Sequence, residues 1–291
     1  MKFLVTGSAG LVGTQVVKDL SKSNYQVYSC YHNTKPEFGI LHQMDLTNYD
    51  DMSKSIDEIE PDVIIHLAAM TNVDLCETER ELALKINAKA TEILSKQAAK
   101  QRAFFVYVST DYVFDGENGM KKETDIPNPI NNYGRTKLEG EKAVQDMASS
   151  WCIARTSTPF GLHSTKKSFP VLVAQNLKTK TEFSAVTDQY TSPTFVPNLS
   201  KMIIEIATRQ IVGVIHLAGA TRISRFDMAE RVADKLSLDK TFLKPTSIKD
   251  MNWVAKRPKD SSLDISKAVA ILKEKPLSIE QGLEYFVQEI M

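Results

Sequence analysis

Short apolar runs alternate with amphipathic stretches through the first half of the chain. Apolar runs bounded by turn residues are typical of strands buried in a parallel sheet. We predict such strands at residues 3–5, 26–31, 40–44, 63–66, 104–108 and 151–154, with helices between them that end near residues 20, 59, 100 and 147. This order predicts an α/β fold, a Rossmann-type doubly wound parallel sheet whose ligands lie at the carboxyl ends of the strands.

The pattern becomes less regular after residue 157, where Pro159, Gly161 and Pro170 interrupt it. An amphipathic helix is predicted from Asn198, and the apolar segment 214–218 is predicted to return to the sheet. Further helices are predicted at 224–236, behind a Ser cap, and at 278–290. We therefore expect a Rossmann domain at residues 1–157, with 194–222 returning to it. Residues 158–193 and 223–291 are expected to form a smaller C-terminal lobe.

Composition narrows the class of protein. The chain has 291 residues, of which 42% are apolar, and its 36 basic side chains balance 36 acidic ones, which argues against nucleic acid or an acidic membrane as its main partner. Cys30, Cys76 and Cys152 lie far apart and form no C-x-x-C motif, which favours a reducing compartment. Residues 3–5 are too short for the core of a secretory signal, and no apolar run approaches the length of a membrane span. We expect a cytoplasmic protein.

A glycine turn directly follows the first predicted strand. Gly7, Gly10 and Gly13 are spaced G-x-x-G-x-x-G, and an amphipathic run continues from Leu11 and Val12. Glycine lets the backbone approach a pyrophosphate closely, and the start of a helix offers unpaired N–H groups. A strand, glycine turn and helix in this order predict a dinucleotide site.

The end of the second strand indicates which dinucleotide binds. An acidic residue there would bind the ribose hydroxyls of NAD, but none occurs between residues 25 and 36. His32, Asn33 and Lys35 follow instead and favour the 2′-phosphate of NADP(H), although they could be ordinary loop residues. Asp45 and Leu46 end the third strand and could contact the adenine.

Two further candidates follow the fourth and fifth strands. Ala68 and Ala69 are small enough to let a nicotinamide ribose lie against the chain, whereas the preceding His66 is expected to be structural.

Tyr133 and Lys137 would lie one turn apart on a helix, so a phenol and an ammonium could share a pocket. A lysine charge about 4 Å away would lower the pKa of the phenol, and the Thr110 hydroxyl could bind a substrate carbonyl. Taken alone, Y-x-x-x-K is usually an exposed helix pair.

Several segments, taken in order, resemble one family. They are the glycine turn, H-L-A-A at 66–69, S-T-D-Y-V-F-D-G at 109–116, Y-G-R-T-K-L-x-G-E at 133–141, D-Q-Y-x-x-P-T at 188–194 and R-P at 257–258. Together they resemble the extended short-chain dehydrogenase/reductases, and within these the dTDP-4-dehydrorhamnose reductase family. The resemblance extends over nearly the whole chain.

The resemblance implies NADPH-dependent reduction of the 4-keto group of a nucleotide-linked 6-deoxy sugar, in dTDP-L-rhamnose biosynthesis. It makes Tyr133 the acid, Lys137 its partner and a ligand of the nicotinamide ribose, and Thr110 the carbonyl ligand. The resemblance implies that Asp111, Val113, Phe114 and Arg257 bind the substrate. It implies no metal ion in the site. The first domain would bind NADP, the lobe would bind substrate, and the chain could form a homodimer.

Two features leave alternatives open. These reductases commonly place an aromatic residue after the R-T-S that ends the sixth strand, whereas Thr158 and Pro159 follow here, so the sugar is not fixed. The same motifs occur in the regulatory beta subunit of methionine adenosyltransferase, which acts by binding. A nucleotide-sugar epimerase or dehydratase is the third alternative, and the missing acid after strand two disfavours it.

Overall fold

The computed structural model describes residues 1–290, which form strands, helices and short turns of helix. The strands are β1 (Lys2–Thr6), β2 (Gln26–Tyr31), β3 (Ile40–Gln43), β4 (Val63–His66), β5 (Phe104–Thr110), β6 (Trp151–Thr156), β7 (Pro159–Phe160), β8 (Phe183–Val186), β9 (Tyr190–Thr191), β10 (Thr194–Phe195), β11 (Gly213–His216), β12 (Ile223–Ser224) and β13 (Leu243–Thr246). The α-helices are α1 (Leu11–Leu20), α2 (Tyr49–Ile59), α3 (Val73–Thr78), α4 (Arg80–Leu84), α5 (Ala90–Gln101), α6 (Asn132–Met147), α7 (Phe169–Lys178), α8 (Val196–Arg209), α9 (Arg225–Lys235), α10 (Ser266–Ile271) and α11 (Ile279–Ile290).

The main sheet has seven strands in the order β11-β6-β5-β4-β1-β2-β3. Every neighbouring pair is parallel. β11 returns to this sheet, as the sequence predicted, and pairs with β6 at its edge. Because side chains alternate along a strand, Phe3 and Val5 enter one hydrophobic core and Leu4 enters the core on the opposite face. Helices cover both faces, so the predicted doubly wound fold is confirmed.

The helical segment that was predicted to end near residue 100 contains a π-helical turn. α4 and α5 are joined by a π-helical turn, Lys85–Lys89, which contains Asn87. The Asn87 side chain accepts a hydrogen bond from Met70 N at 2.8 Å and donates one to Met70 O at 3.1 Å. The π turn thus directs a buried amide at the loop after β4, where it satisfies two backbone groups.

A third hydrophobic core lies outside the main sheet. It includes Phe160, Met228 and Phe286, so that segments following β6 and the helices α9 and α11 share it. The Ser224 Oγ accepts a hydrogen bond from Asp227 N at 3.0 Å and caps α9, as predicted. Met291, the last residue of the predicted lobe, lies outside the described residues.

Residues 1–290 contain neither a membrane-spanning helix nor a cluster of metal-ligating side chains. No helix among them is long and apolar enough to span a bilayer. Among the same residues, no three His, Cys, Asp or Glu side chains are grouped so that they could bind a metal ion.

Helix α6 packs unusually close to β5 and to the π turn. A Cβ at Gly140 would lie 2.3 Å from the Tyr107 Oη and 2.7 Å from the Asn87 carbonyl oxygen. Tyr107 is fully buried, so it has no room to move aside. A side chain at position 140 would therefore push α6 away from the sheet.

We expect Gly140→Ala to lower the free energy of unfolding by about 1–3 kcal/mol, because overpacking displaces a buried ring. Urea denaturation followed by circular dichroism measures this change. Lys142→Ala, at an exposed position of the same helix, should change stability by less than about 0.5 kcal/mol. Equal stability of Gly140→Ala and the native chain would contradict the close packing.

Candidate active site

A cleft of about 690 Å³ runs along the carboxyl ends of the parallel strands. The ends of β1, β2, β4 and β5 and the start of α6 line it, together with residues that follow β6. This is the edge of a doubly wound sheet at which ligands bind. The predicted catalytic and cofactor residues can therefore be compared within one cavity.

The glycine turn forms one end of the cleft. Gly7 has φ +68° and its carbonyl oxygen accepts a hydrogen bond from Gly10 N at 2.9 Å. A Cβ at Gly13 would lie 2.0 Å from that oxygen, so a larger residue cannot be accommodated. Gly7, Gly10, Leu11, Val12 and Gly13 all line the cleft, and no side chain caps α1. Its first N–H groups suit a pyrophosphate.

The loop after β2 forms part of the wall next to this turn. His32, Asn33 and Leu46 line the cleft, but Lys35 and Asp45 do not. The Asp45 carboxylate instead accepts hydrogen bonds from Thr47 N and Oγ1, both at 2.8 Å, which lower its pKa. The side chain stabilises a local turn beside His32, and its contact with adenine stays a prediction.

The segment after β4 contributes Ala68 and Ala69 to the cleft, as predicted. His66 lies behind them, fully buried, between the hydroxyls of Thr6 at 2.6 Å and Thr91 at 3.0 Å. Burial lowers its pKa to about 3. His66 is therefore a neutral structural residue, in agreement with the sequence.

The start of α6 is attached to several parts of the chain. The Asn131 Oδ1 accepts a hydrogen bond from Gly134 N at 2.8 Å, which caps the helix, and its Nδ2 donates to Lys256 O at 2.9 Å. Asn132 N donates to the Glu77 Oε2 at 2.9 Å. Tyr133 and Lys137 follow on this anchored turn, and both line the cleft. The alternative of an exposed helix pair is excluded.

The electrostatic relation of these two residues differs from the prediction. Burial raises the pKa of the Tyr133 phenol above its usual value, and the Thr110 hydroxyl opposes this shift. Burial also lowers the pKa of Lys137 to about 7, while Glu141 raises it. The Lys137 Nζ donates to Val108 O at 2.8 Å and lies 4.0 Å from the centre of the Tyr107 ring. The predicted lowering of the Tyr133 pKa by Lys137 is therefore corrected, and the phenol is protonated at neutral pH.

Thr110 and Asp111 line the cleft beside Tyr133. The Thr110 Oγ1 donates to the Asp111 Oδ1 at 3.0 Å, and Ser157 and Ser261 donate to Oδ2 at 2.8 and 2.6 Å. Burial raises the pKa of Asp111, whereas these hydroxyls lower it. A carbonyl that enters here would meet a hydroxyl, a phenol and a buried carboxyl group.

Known proteins with similar sequences and structures agree with the fold and the cleft described above. The family model described as RmlD substrate binding domain matches residues 1–291. The chain belongs to the RmlD substrate binding domain family.

Three relatives show the range of this family. A probable low-salt glycan biosynthesis reductase of Haloferax volcanii is 34% identical, covering 97% of this chain and 96% of its own. The methionine adenosyltransferase 2 subunit beta of Rattus norvegicus is 32% identical, covering 91% and 81%. The structure of dTDP-4-dehydrorhamnose reductase from Bacillus anthracis, solved with NADP, is 31% identical with a TM-score of 0.89 and covers 99% of both chains.

Three predicted substrate residues of this RmlD family member do not line the cleft. Val113 and Phe114 are at most 1% exposed and pack in a core with Ala218 and Leu263. The turn Asp111–Val113 is a 3-10 helix, which directs their side chains inward. Arg257 pairs with Asp74 at 3.0 Å and also lies outside the lining. These predicted contacts are corrected.

Sequence reasoning missed other residues of the RmlD family cleft. Thr158 and Pro159, which follow β6, line it, as do Lys166 and Arg225. The two basic residues have no motif around them, and only the tertiary fold brings them to the cavity. The Ser cap before Arg225 was visible in the sequence, but it predicts a helix start and no ligand.

The burial of Lys137 predicts a pH dependence of stability. Between about pH 7 and pH 10 its amine is neutral when folded and charged when unfolded, so the unfolded state binds more protons. Stability from this residue therefore rises with pH across that window, by at most about 1.4 kcal/mol per pH unit.

We expect Lys137→Met to show a smaller slope of unfolding free energy against pH than the native chain in urea titrations. Lys142→Met, on the exposed face of α6, should keep the native slope, and equal slopes in all three would contradict the burial argument.

Proposed function

We propose that this protein catalyses the NADPH-dependent reduction of the 4-keto group of a nucleotide-linked 6-deoxy sugar, as a dTDP-4-dehydrorhamnose reductase. The observation that carries the proposal is that Thr110, Tyr133 and Lys137 line the same cleft as the glycine turn. A proton donor is thereby combined with a dinucleotide site. Family relatives with this activity support the assignment, among them the Bacillus anthracis enzyme.

The cofactor proposed is NADP(H), which supplies hydride when bound. The uncapped start of α1 would bind its pyrophosphate, and the small Ala68 and Ala69 would leave room for the nicotinamide ribose. His32 and Asn33 line the cleft after β2, and no acidic residue occurs between residues 25 and 36. The acidic residue that would bind the ribose hydroxyls of NAD is therefore missing at the end of β2, which supports NADP over NAD.

The chain's own residues account for proton delivery and orientation. Tyr133 is protonated at neutral pH and can donate its phenol proton to the C4 oxygen as charge develops there. The Thr110 hydroxyl can turn from Asp111 to the carbonyl oxygen and orient it. The pKa of Lys137 lies at about 7, so a small shift in this pKa changes the fraction of the amine that is charged at neutral pH. The amine can also bind the ribose hydroxyls.

The division of labour between the two parts of the chain is also a proposal. Residues 1–157, with 194–222, would bind NADP, and residues 158–193 with 223–291 would bind the nucleotide sugar. Thr158, Pro159 and Arg225 support this division because they reach the same cleft as the glycine turn. The cytoplasmic location and a homodimer stay predictions from the sequence.

A regulatory role is the second candidate. The identity of 32% to the methionine adenosyltransferase 2 subunit beta of Rattus norvegicus favours it. Such a protein would bind NADP without turnover and act on a partner. An epimerase or dehydratase is not favoured, because those reactions need tightly bound NAD.

The first test is NADPH oxidation, followed by absorbance, with a dTDP-4-keto-6-deoxy hexose. We expect Tyr133→Phe to reduce the rate by at least about 100-fold, because general acid catalysis contributes about 10² to 10⁴. Tyr285→Phe, at a half-exposed position on α11, should retain the native rate. An unchanged rate in Tyr133→Phe would remove this phenol from the mechanism.

The second test separates the reductase from the regulatory protein. We expect the purified chain to consume NADPH with the 4-keto sugar and to elute alone when mixed with a methionine adenosyltransferase on gel filtration. Co-elution with that enzyme, together with NADP binding and no turnover, would replace the first proposal by the second.

A further inference from the structure

Arg225 is one of two cavity-lining cations that the proposed chemistry does not use, and unlike the exposed Lys166 it is partly buried. It is the first residue of α9, and its backbone N donates to Gln189 O at 3.1 Å. The guanidinium carbon lies 5.1 Å from the centre of the Phe169 ring. Stacking on a ring leaves the N–H edge of a guanidinium free. Among residues 1–290, Tyr112, Asp111 and Arg257 act on this guanidinium through their charge and not through a hydrogen bond.

The nearby charged groups are engaged elsewhere. Asp111 accepts hydrogen bonds from three hydroxyls rather than from Arg225. Arg257 is paired with Asp74 at 3.0 Å and donates to Ala255 O at 3.0 Å. Burial lowers the pKa of Arg225, Arg257 acts in the same direction, and Tyr112 and Asp111 oppose them. A partly buried guanidinium beside a second cation, with its donors free, is arranged for an anion from outside the chain.

We propose that Arg225 binds the diphosphate of the nucleoside diphosphate sugar, in place of Arg257, and this assignment rests on the proposed function. A guanidinium can bind phosphate oxygens with two parallel hydrogen bonds, which orients the ligand as well as attracting it. Docking of the α9 backbone on Gln189 O fixes where this group is presented. Arg225 therefore determines where the sugar lies relative to Tyr133.

The test measures binding of dTDP by calorimetry and needs no turnover. We expect Arg225→Gln to raise the Kd for dTDP by about 10- to 100-fold, because charge-assisted hydrogen bonds are lost. Arg225→Lys keeps the charge and should fall between Arg225→Gln and the native chain. Affinity for NADPH, measured by fluorescence, should be unchanged in all variants and reports that they are folded.

Arg231→Gln is the matched control, since Arg231 lies on the same helix, pairs with Glu280 and does not line the cleft. Its Kd for dTDP should stay within about threefold of the native value. The same Kd in Arg225→Gln and the native chain, or no binding of dTDP to the native chain, would overturn the proposal.

A second arm distinguishes a phosphate from a carboxylate on the sugar, since both suit a guanidinium. Affinities of Arg225→Gln and the native chain are compared for dTDP-glucose and dTDP-glucuronate. Equal losses for the two ligands support the diphosphate. A loss confined to dTDP-glucuronate would assign Arg225 to a sugar carboxylate and overturn the diphosphate assignment. Failure of the proposed function would show separately, as intact dTDP binding without NADPH oxidation.

Discussion

The close approach of α6 to the end of β5 is the constraint on which the site depends. A Cβ at Gly134 would lie 2.1 Å from Tyr112 O, and one at Gly140 would lie 2.3 Å from the Tyr107 Oη. Glycine inside a helix costs about 1 kcal/mol relative to alanine. The chain accepts that cost twice in one helix, and in return the helix axis comes close enough for Tyr133 and Lys137 to face the cleft.

The close packing of α6 on the sheet buries the side chains between them, and this burial shifts the pKa of Lys137. Lys137 is 2% exposed, which explains its low pKa, and the buried Glu141 one turn later raises that pKa again. Glu141 itself is held by the Arg155 Nε at 2.9 Å and the Ser109 Oγ at 2.5 Å. Removing one partner of a buried ion pair costs about 3–5 kcal/mol. The buried ion pair of Glu141 and Arg155 therefore holds a negative charge in a fixed position near the Lys137 amine, and this charge influences its pKa.

The features predicted most accurately from the sequence are those formed by residues close together in the chain. The glycine turn, the strands and the Tyr133–Lys137 pair each depend on residues within one or two turns of chain, so their spacing was sufficient. The predictions for Val113 and Phe114 were wrong because a single 3-10 turn decides which way side chains point, and composition does not show it. Lys166 and Arg225 were missed for a different reason. They reach the cleft through packing between distant segments, which no local pattern records.

Asp111 shows how far the substrate side depends on such distant contacts. Its carboxylate joins the end of β5 to Ser157, just after β6, and to Ser261 near the C-terminal helices. Both serine hydroxyls donate to Oδ2, a buried oxygen that would cost about 1–3 kcal/mol if it had no donor. The position of the segment around Ser261 is therefore coupled to that of Thr110, the proposed carbonyl ligand, which donates to the same carboxylate. A substrate carbonyl that draws the Thr110 hydroxyl away takes the donor from the Asp111 Oδ1, while the two serines still donate to Oδ2 and hold the carboxyl group in place.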